Sequence, residues 1–327
     1  MMLSNTALLR RCLKSIGIMA FVTLGWAAVL VVDARTAEAA SGGQPTPKQL
    51  APSSPEASPT PGTPAEAASE AICAPSSVGN TVEVKVKEPD NFQSWLSQGD
   101  NLLRLKRYQE ALMAYSRAID LNGGELPGWL GCAMVLQETQ KYDTAVRALD
   151  RALTISPEHS QAWFQKGMVL KLSERYEEAL AAFDRALQGN GAWGNSAGLA
   201  DAWLNRGSVL WWLEKRSEAI AAFDKAIEIN PEFALAWYNR ATALLQEGNY
   251  VEAVASYERA IASQGQWGSL TGPANAWYNR GVALEQLERY AEAIDSYDEA
   301  LKIIPNHTKA RLRIVALRQR LAASPQS

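Results

Sequence analysis

Six tryptophans constrain this chain more than any other feature. Trp95, Trp129, Trp163, Trp203, Trp237 and Trp277 follow one another at intervals of 34, 34, 40, 34 and 40 residues. When each is placed at position 4 of a unit, position 8 holds Gly or Ala, from Gly99 to Gly281. Position 11 is then always Leu, from Leu102 to Leu284, and position 20 always Ala, from Ala111 to Ala293. Position 24 is Tyr115, Leu149, Phe183, Phe223, Tyr257 and Tyr297, and position 27 is Ala from Ala118 to Ala300. Positions 4, 8 and 11 share one face of a helix, and so do 20, 24 and 27 of a second helix. Small residues at 8, 20 and 27 let the two backbones approach, and the bulky residues fill the space between turns. Pro157, Pro231 and Pro305 at position 32 cannot continue the second helix. One such hairpin cannot cover both of its apolar faces, so the units must stack.

This set of residues resembles the tetratricopeptide repeat family, in its bacterial and cyanobacterial form. The likeness spans six units: 92–125, 126–159, 160–193, 200–233, 234–267 and 274–307. It implies an all-α, right-handed superhelical solenoid of six helical hairpins, with residues 308–322 as a capping helix. In that last helix Leu312, Val315 and Ala316 are expected to face the final repeat, with Arg311, Arg313, Arg318 and Arg320 in solvent. The departures are consistent. Pro is missing from units one, three and five, and position 7 is basic in the last four units: Lys166, Arg206, Arg240 and Arg280. Position 25 holds Asp150, Asp184, Asp224, Glu258 and Asp298 in units two to six. We expect each base to pair with the acid of the preceding unit. In unit two, position 7 is Cys132, and unit one has Ser116 at position 25.

The two longer intervals share Gly191-Ala192-Trp193-Gly194 and Gly265-Gln266-Trp267-Gly268, so a block of two units recurs after 74 residues. Trp193 and Trp267 either contact a partner or cover neighbouring helix ends; the second reading is preferred.

The resemblance also implies where binding occurs, because in this family the first helices line a concave groove. The groove residues expected here are Phe164, Leu204, Tyr238 and Tyr278 at position 5 and Gln165, Asn205, Asn239 and Asn279 at position 6. Trp211 and Trp212 at positions 12 and 13 of unit four join them. Amides can both donate to and accept from an extended backbone, and aromatic faces give contact area at low entropic cost. The family's carboxylate clamp is not expected, since its places in units four to six hold Leu204, Ser208, Asn239, Asn275 and Asn279 without a basic residue.

Ahead of the repeats, Arg10, Arg11 and Lys14 precede an uncharged stretch from Ser15 to Val32, and Ala37-Glu38-Ala39-Ala40 follows. A basic start, an apolar middle and a small-residue end describe an export segment. It is either cleaved after Ala39 or Ala40 or retained as a single anchor. Residues 41–91 read as a linker, for eight of the fifteen prolines lie in 41–76. Val82, Val84 and Val86 alternate with charged residues in a short strand-like piece that has no partner. Cys12, Cys73 and Cys132 match no metal spacing and are taken as unrelated thiols. A bridge between Cys73 and Cys132 is allowed in an oxidising compartment, but nothing in the sequence brings them together.

A net charge of −3 with no basic block after residue 14 disfavours nucleic acid. Gly189-Asn190-Gly191-Ala192-Trp193-Gly194 matches a dinucleotide fingerprint only formally, because a helix rather than a strand precedes it. His159 and His307 both fall at position 34 and are read as turn residues. No catalytic, cofactor or metal set is expected. The sequence therefore points to a non-enzymatic scaffold for other proteins, periplasmic or lumenal or anchored on that side. Membrane contact is expected only through residues 15–32, and a regulatory adaptor that presents an enzyme is the alternative.

Overall fold

The structure, a computed structural model, describes residues 72, 73, 91–193, 197–263, 267 and 269–323. The expected export segment, Cys12, the strand-like piece at 82–87 and most of the linker lie outside the described residues. Thirteen helices and no strand occur among the described residues. The first helices of the six units are α1 (Phe92–Arg104), α3 (Leu126–Glu138), α5 (Ser160–Leu172), α7 (Ala197–Trp212), α9 (Ala234–Gln246) and α11 (Gly272–Gln286). The second helices are α2 (Tyr108–Leu121), α4 (Tyr142–Ile155), α6 (Tyr176–Gln188), α8 (Arg216–Ile229), α10 (Tyr250–Ala262) and α12 (Tyr290–Ile303). The cap is α13 (Thr308–Ala323). Each helix packs on the next in chain order. The fold is the all-α repeat solenoid that the tryptophan spacing requires.

The close approach of the two helices in a hairpin follows from position 8. A Cβ added to Gly99, Gly167, Gly207 or Gly281 would lie 2.6–2.7 Å from the ring at position 24 of the same unit. The rings of Tyr115, Phe183, Phe223 and Tyr297 are fully buried there. The turn inside each hairpin has a common form. Position 15 takes positive φ in all six units: Lys106, Gln140, Glu174, Glu214, Gly248 and Glu288. The next N–H then reaches back to the carbonyl of the position 11 leucine, as from Arg107 to Leu102 at 2.9 Å and from Lys141 to Leu136 at 2.8 Å. This satisfies one of the carbonyls that a helix end leaves open.

Two devices join consecutive units, and a third ties the segment before the repeats to unit two. The indole N–H of position 4 donates to the position 32 carbonyl of the unit before: Trp129 to Gly123 at 2.9 Å, Trp163 to Pro157 at 2.7 Å and Trp237 to Pro231 at 2.8 Å. The position 7 base pairs with the acid of the preceding unit, as expected. Lys166 reaches Asp150 at 2.5 Å, while Arg206–Asp184, Arg240–Asp224 and Arg280–Glu258 each close at 2.6 Å. Lys166, Arg206 and Arg280 also sit over the tryptophan rings of their own units.

The third device corrects the sequence reading. Cys73 and Cys132 form a disulfide with a Cα–Cα distance of 5.9 Å, so they are not unrelated thiols. Cys132 stands at position 7 of unit two, where the later units carry the base. Ile72 and Cys73 are buried against the first units. A covalent bond thus occupies the place where Ser116 leaves no acid to pair with.

The cap also departs from expectation. Ala310, Ile314 and Leu317 face the last repeat, whereas Leu312, Val315 and Ala316 are exposed. Both stripes have helical spacing, and α13 takes the one that lets Arg313 reach Glu285 at 2.9 Å, beside the buried Tyr297 hydroxyl. Arg313 is therefore half-buried and paired rather than wholly in solvent.

Candidate protein-binding face

Consecutive first helices also touch: α1 with α3, α5 with α7, α7 with α9 and α9 with α11. No pair of consecutive second helices makes comparable contact among the described residues. The row of hairpins is therefore tighter on the first-helix side and curves toward it. The inner face is built from α5, α7, α9 and α11 in the region where the candidate residues cluster.

The position 5 residues do not stand open on this face. Phe164, Leu204 and Tyr238 are buried, and Tyr278 is half-buried. The residue at position 34 of the same unit covers three of them. Trp193 meets Phe164 edge-on at 6.3 Å, Trp267 meets Tyr238 edge-on at 6.3 Å, and His307 lies 4.8 Å from Tyr278. The two insertion tryptophans therefore pack against the hairpins. Gly272 makes room for Trp267, since a Cβ there would lie 2.8 Å from the indole, and a Cβ at Gly198 would lie 3.1 Å from the Trp193 carbonyl oxygen. Aromatic bodies at position 5 support the amides beside them.

The position 6 amides form a row across units three to six. Gln165 is 9% exposed and its Oε1 has no hydrogen-bond partner. Asn239 is 3% exposed and neither its Nδ2 nor its Oδ1 has one. Asn205 donates to the Asp201 backbone carbonyl at 2.9 Å and accepts from the Lys171 ammonium. Asn279 donates to the Tyr238 hydroxyl at 3.2 Å. Unit two has Gly131 in this row because the Tyr115 ring, reaching Asp100, fills the space that a side chain there would need.

Trp211 and Trp212 form the rim. Trp212 is 54% exposed and stacks on Tyr176 with centroids 5.7 Å apart and planes 5° from parallel; Arg216 lies over Trp211. Two charged residues of this face escaped the sequence reading. Lys171, at position 12 of unit three, is pushed down to about 8 by burial. Asp201, at position 2 of unit four, is pushed up to about 6, also by burial. Position 12 belongs to the groove set used for unit four, so for Lys171 the signal was present.

His159 and His307 are not merely turn residues. Each Nδ1 accepts a backbone N–H three residues on, at 3.1 Å from Ala162 and 3.2 Å from Ala310, capping α5 and α13. The glycine-rich fingerprint residues serve the same helix start. Gly191 N–H donates to Ser160 Oγ at 3.0 Å, and the Asn190 amide accepts from Ser160 N–H at 3.3 Å. Among the described residues, no group of His, Cys, Asp or Glu is arranged to hold a metal.

Profiles of the tetratricopeptide repeat match residues 81–125, 133–197, 204–266 and 274–307, more than half of the chain. The chain belongs to the tetratricopeptide repeat family, whose fold generally serves as a non-enzymatic scaffold for protein interaction. No curated protein matches it. Among solved structures, it is similar to YrrB, described as a tetratricopeptide repeat protein with an unusual peptide-binding site. Identity is 26% and the TM-score 0.50, over 60% of this chain and 95% of that one. PilF of Pseudomonas aeruginosa is 18% identical with a TM-score of 0.57, over 70% of this chain and 97% of that one. PilW, described as a type IV pilus biogenesis factor, is 17% identical with a TM-score of 0.57, over 69% and 99%. The last two share the fold alone.

Proposed function

We propose that this protein is a non-enzymatic scaffold that holds extended segments of partner proteins on the inner face of its repeat stack, outside the cytoplasm. One observation carries the reading. Asn239 is buried on that face with both halves of its amide unpartnered. A buried polar group without a partner costs about 1–3 kcal/mol. An extended peptide backbone supplies a donor and an acceptor for one such amide. Trp212, exposed on the rim, offers a flat apolar surface beside this row. The peptide-binding site in the description of YrrB is consistent with this use of the fold.

The location rests on two features. Residues 1–40 have the layout of an export segment. The Cys73–Cys132 bridge suits an oxidising compartment, where disulfides persist. The repeats then work in the periplasm or a lumen, free or held by residues 15–32, in the assembly of membrane or envelope complexes. No helix among the described residues is long and apolar enough to cross a membrane.

A photocrosslinking residue at Trp212, in the native membrane fraction, tests this. The expected result is a discrete protein adduct that is lost in Asn205→Ala/Asn239→Ala and absent when the crosslinker stands at Lys225 on the outer side. Equal capture from Lys225, or no adduct from Trp212, contradicts it.

A further inference from the structure

The two-unit block that recurs after 74 residues relates Gln165 to Asn239 and Asn205 to Asn279. The structure treats the two pairs differently. Gln165 and Asn239 keep unpartnered amide atoms, while Asn205 and Asn279 are engaged by Lys171 and the Tyr238 hydroxyl. Free hydrogen-bonding capacity thus falls in units three and five, one full block apart. Between them along the stack lies the Lys171 ammonium, which reaches from the last turn of α5 to Asn205 on α7. Every ladder cation (Lys166, Arg206, Arg240 and Arg280) has an acid partner. Lys171 has only a neutral amide oxygen, and no carboxylate among the described residues pairs with it. Asp201, one turn before Asn205, meets that amide through its backbone carbonyl and not through its carboxylate.

A partly buried ammonium without a counter-charge is costly, and an acidic group brought to it removes much of that cost. We infer that the segment bound on this face is an extended strand carrying an aspartate or glutamate for Lys171, set between backbone contacts to Gln165 and Asn239. The inference rests on the inner face being the protein-binding surface. Neighbouring helices pack about 8–10 Å apart, so two units span roughly 20 Å. An extended chain crosses that in about six residues at about 3.3 Å each. The acid therefore falls about three residues from either backbone contact.

Random 12-residue peptides displayed on phage and selected on the full-length protein test this. The enriched peptides are expected to share one Asp or Glu. Replacing it with Asn or Gln should weaken binding about tenfold or more. Lys171→Met should weaken the acidic peptide equally and leave the amide form unchanged. Lys171 is partly exposed, so this variant keeps the test sound even if a buried one such as Asn239→Leu misfolds. Peptides without an acid, or an acid indifferent to Lys171→Met, overturn the inference. If such peptides still lose binding in Asn239→Leu or Trp212→Ala, the protein-binding face stands and only the acidic class falls. Peptides indifferent to all three variants, or no enrichment at all, remove both. A synthetic peptide of residues 44–71, which contains Glu56, Glu66 and Glu70, is the control. Lys171-dependent binding of that peptide reassigns the face to the chain's own preceding segment and overturns a separate partner.

Discussion

Position 15 carries a backbone conformation that only one of its six residues announces. Gly248 adopts φ +80° without penalty, but Gln140 sits at φ 58° and pays the steric cost of an L-residue there. Gln140→Gly should raise stability by about 0.5–1 kcal/mol, and Gly248→Ala should lower it by about 1 kcal/mol, both read from urea unfolding. The turn was hidden in the sequence because five of its six residues are not glycine. The histidine caps were equally hidden. His159 accepts the Ala162 N–H through a neutral ring, and burial lowers its pKa. A lowered folded pKa means that the cap is intact above the unfolded value of about 6.5 and is lost as pH falls below it. His159→Asn keeps an acceptor without the proton, so the variant should lose less thermal stability than the parent between pH 7.5 and 5.5. Parallel melting curves for the two would contradict this role.

Among the elements, the hairpins and the ion-pair ladder were legible because each rests on residues repeated at fixed places. What was not legible depends on one copy only. The Cys73–Cys132 bridge joins unit two to a segment outside the repeat, so no periodicity could pair the two thiols. The cap offered two apolar stripes of helical spacing, and the one it buries, Ala310, Ile314 and Leu317, goes with the Arg313–Glu285 contact. At the first junction, unit one lacks the ladder, and the Trp129–Gly123 bond, the Tyr108–Glu138 bond and the buried core are joined by the disulfide. Reduction should therefore release unit one before the others, because each unit is coupled only to its neighbours. Closing a 59-residue separation is worth about 2–4 kcal/mol. Hydrogen exchange after reduction should quicken in α1 and α2 and stay unchanged in α8 to α12. Uniform quickening along the stack would mean that the bridge does not act locally.

For the whole molecule, six hairpins curve toward their first helices and gather the amide row on one side. The sequence placed these amides at position 6 of four first helices. It did not show that the position 5 aromatics lie beneath Trp193, Trp267 and His307, because that depends on how each loop folds back over its own unit. It also passed over Lys171, since unit three was read at positions 5 and 6 alone. The candidate face is thus narrower than the sequence list: amides and a cation along its floor, Trp212 at its edge, and a supporting layer of buried rings. Hydrogen exchange of the intact protein, with and without the partner captured through Trp212, tests this most directly. The account predicts protection confined to α5, α7, α9 and α11, whereas protection of α6, α8 and α10, or of the cap alone, would contradict it.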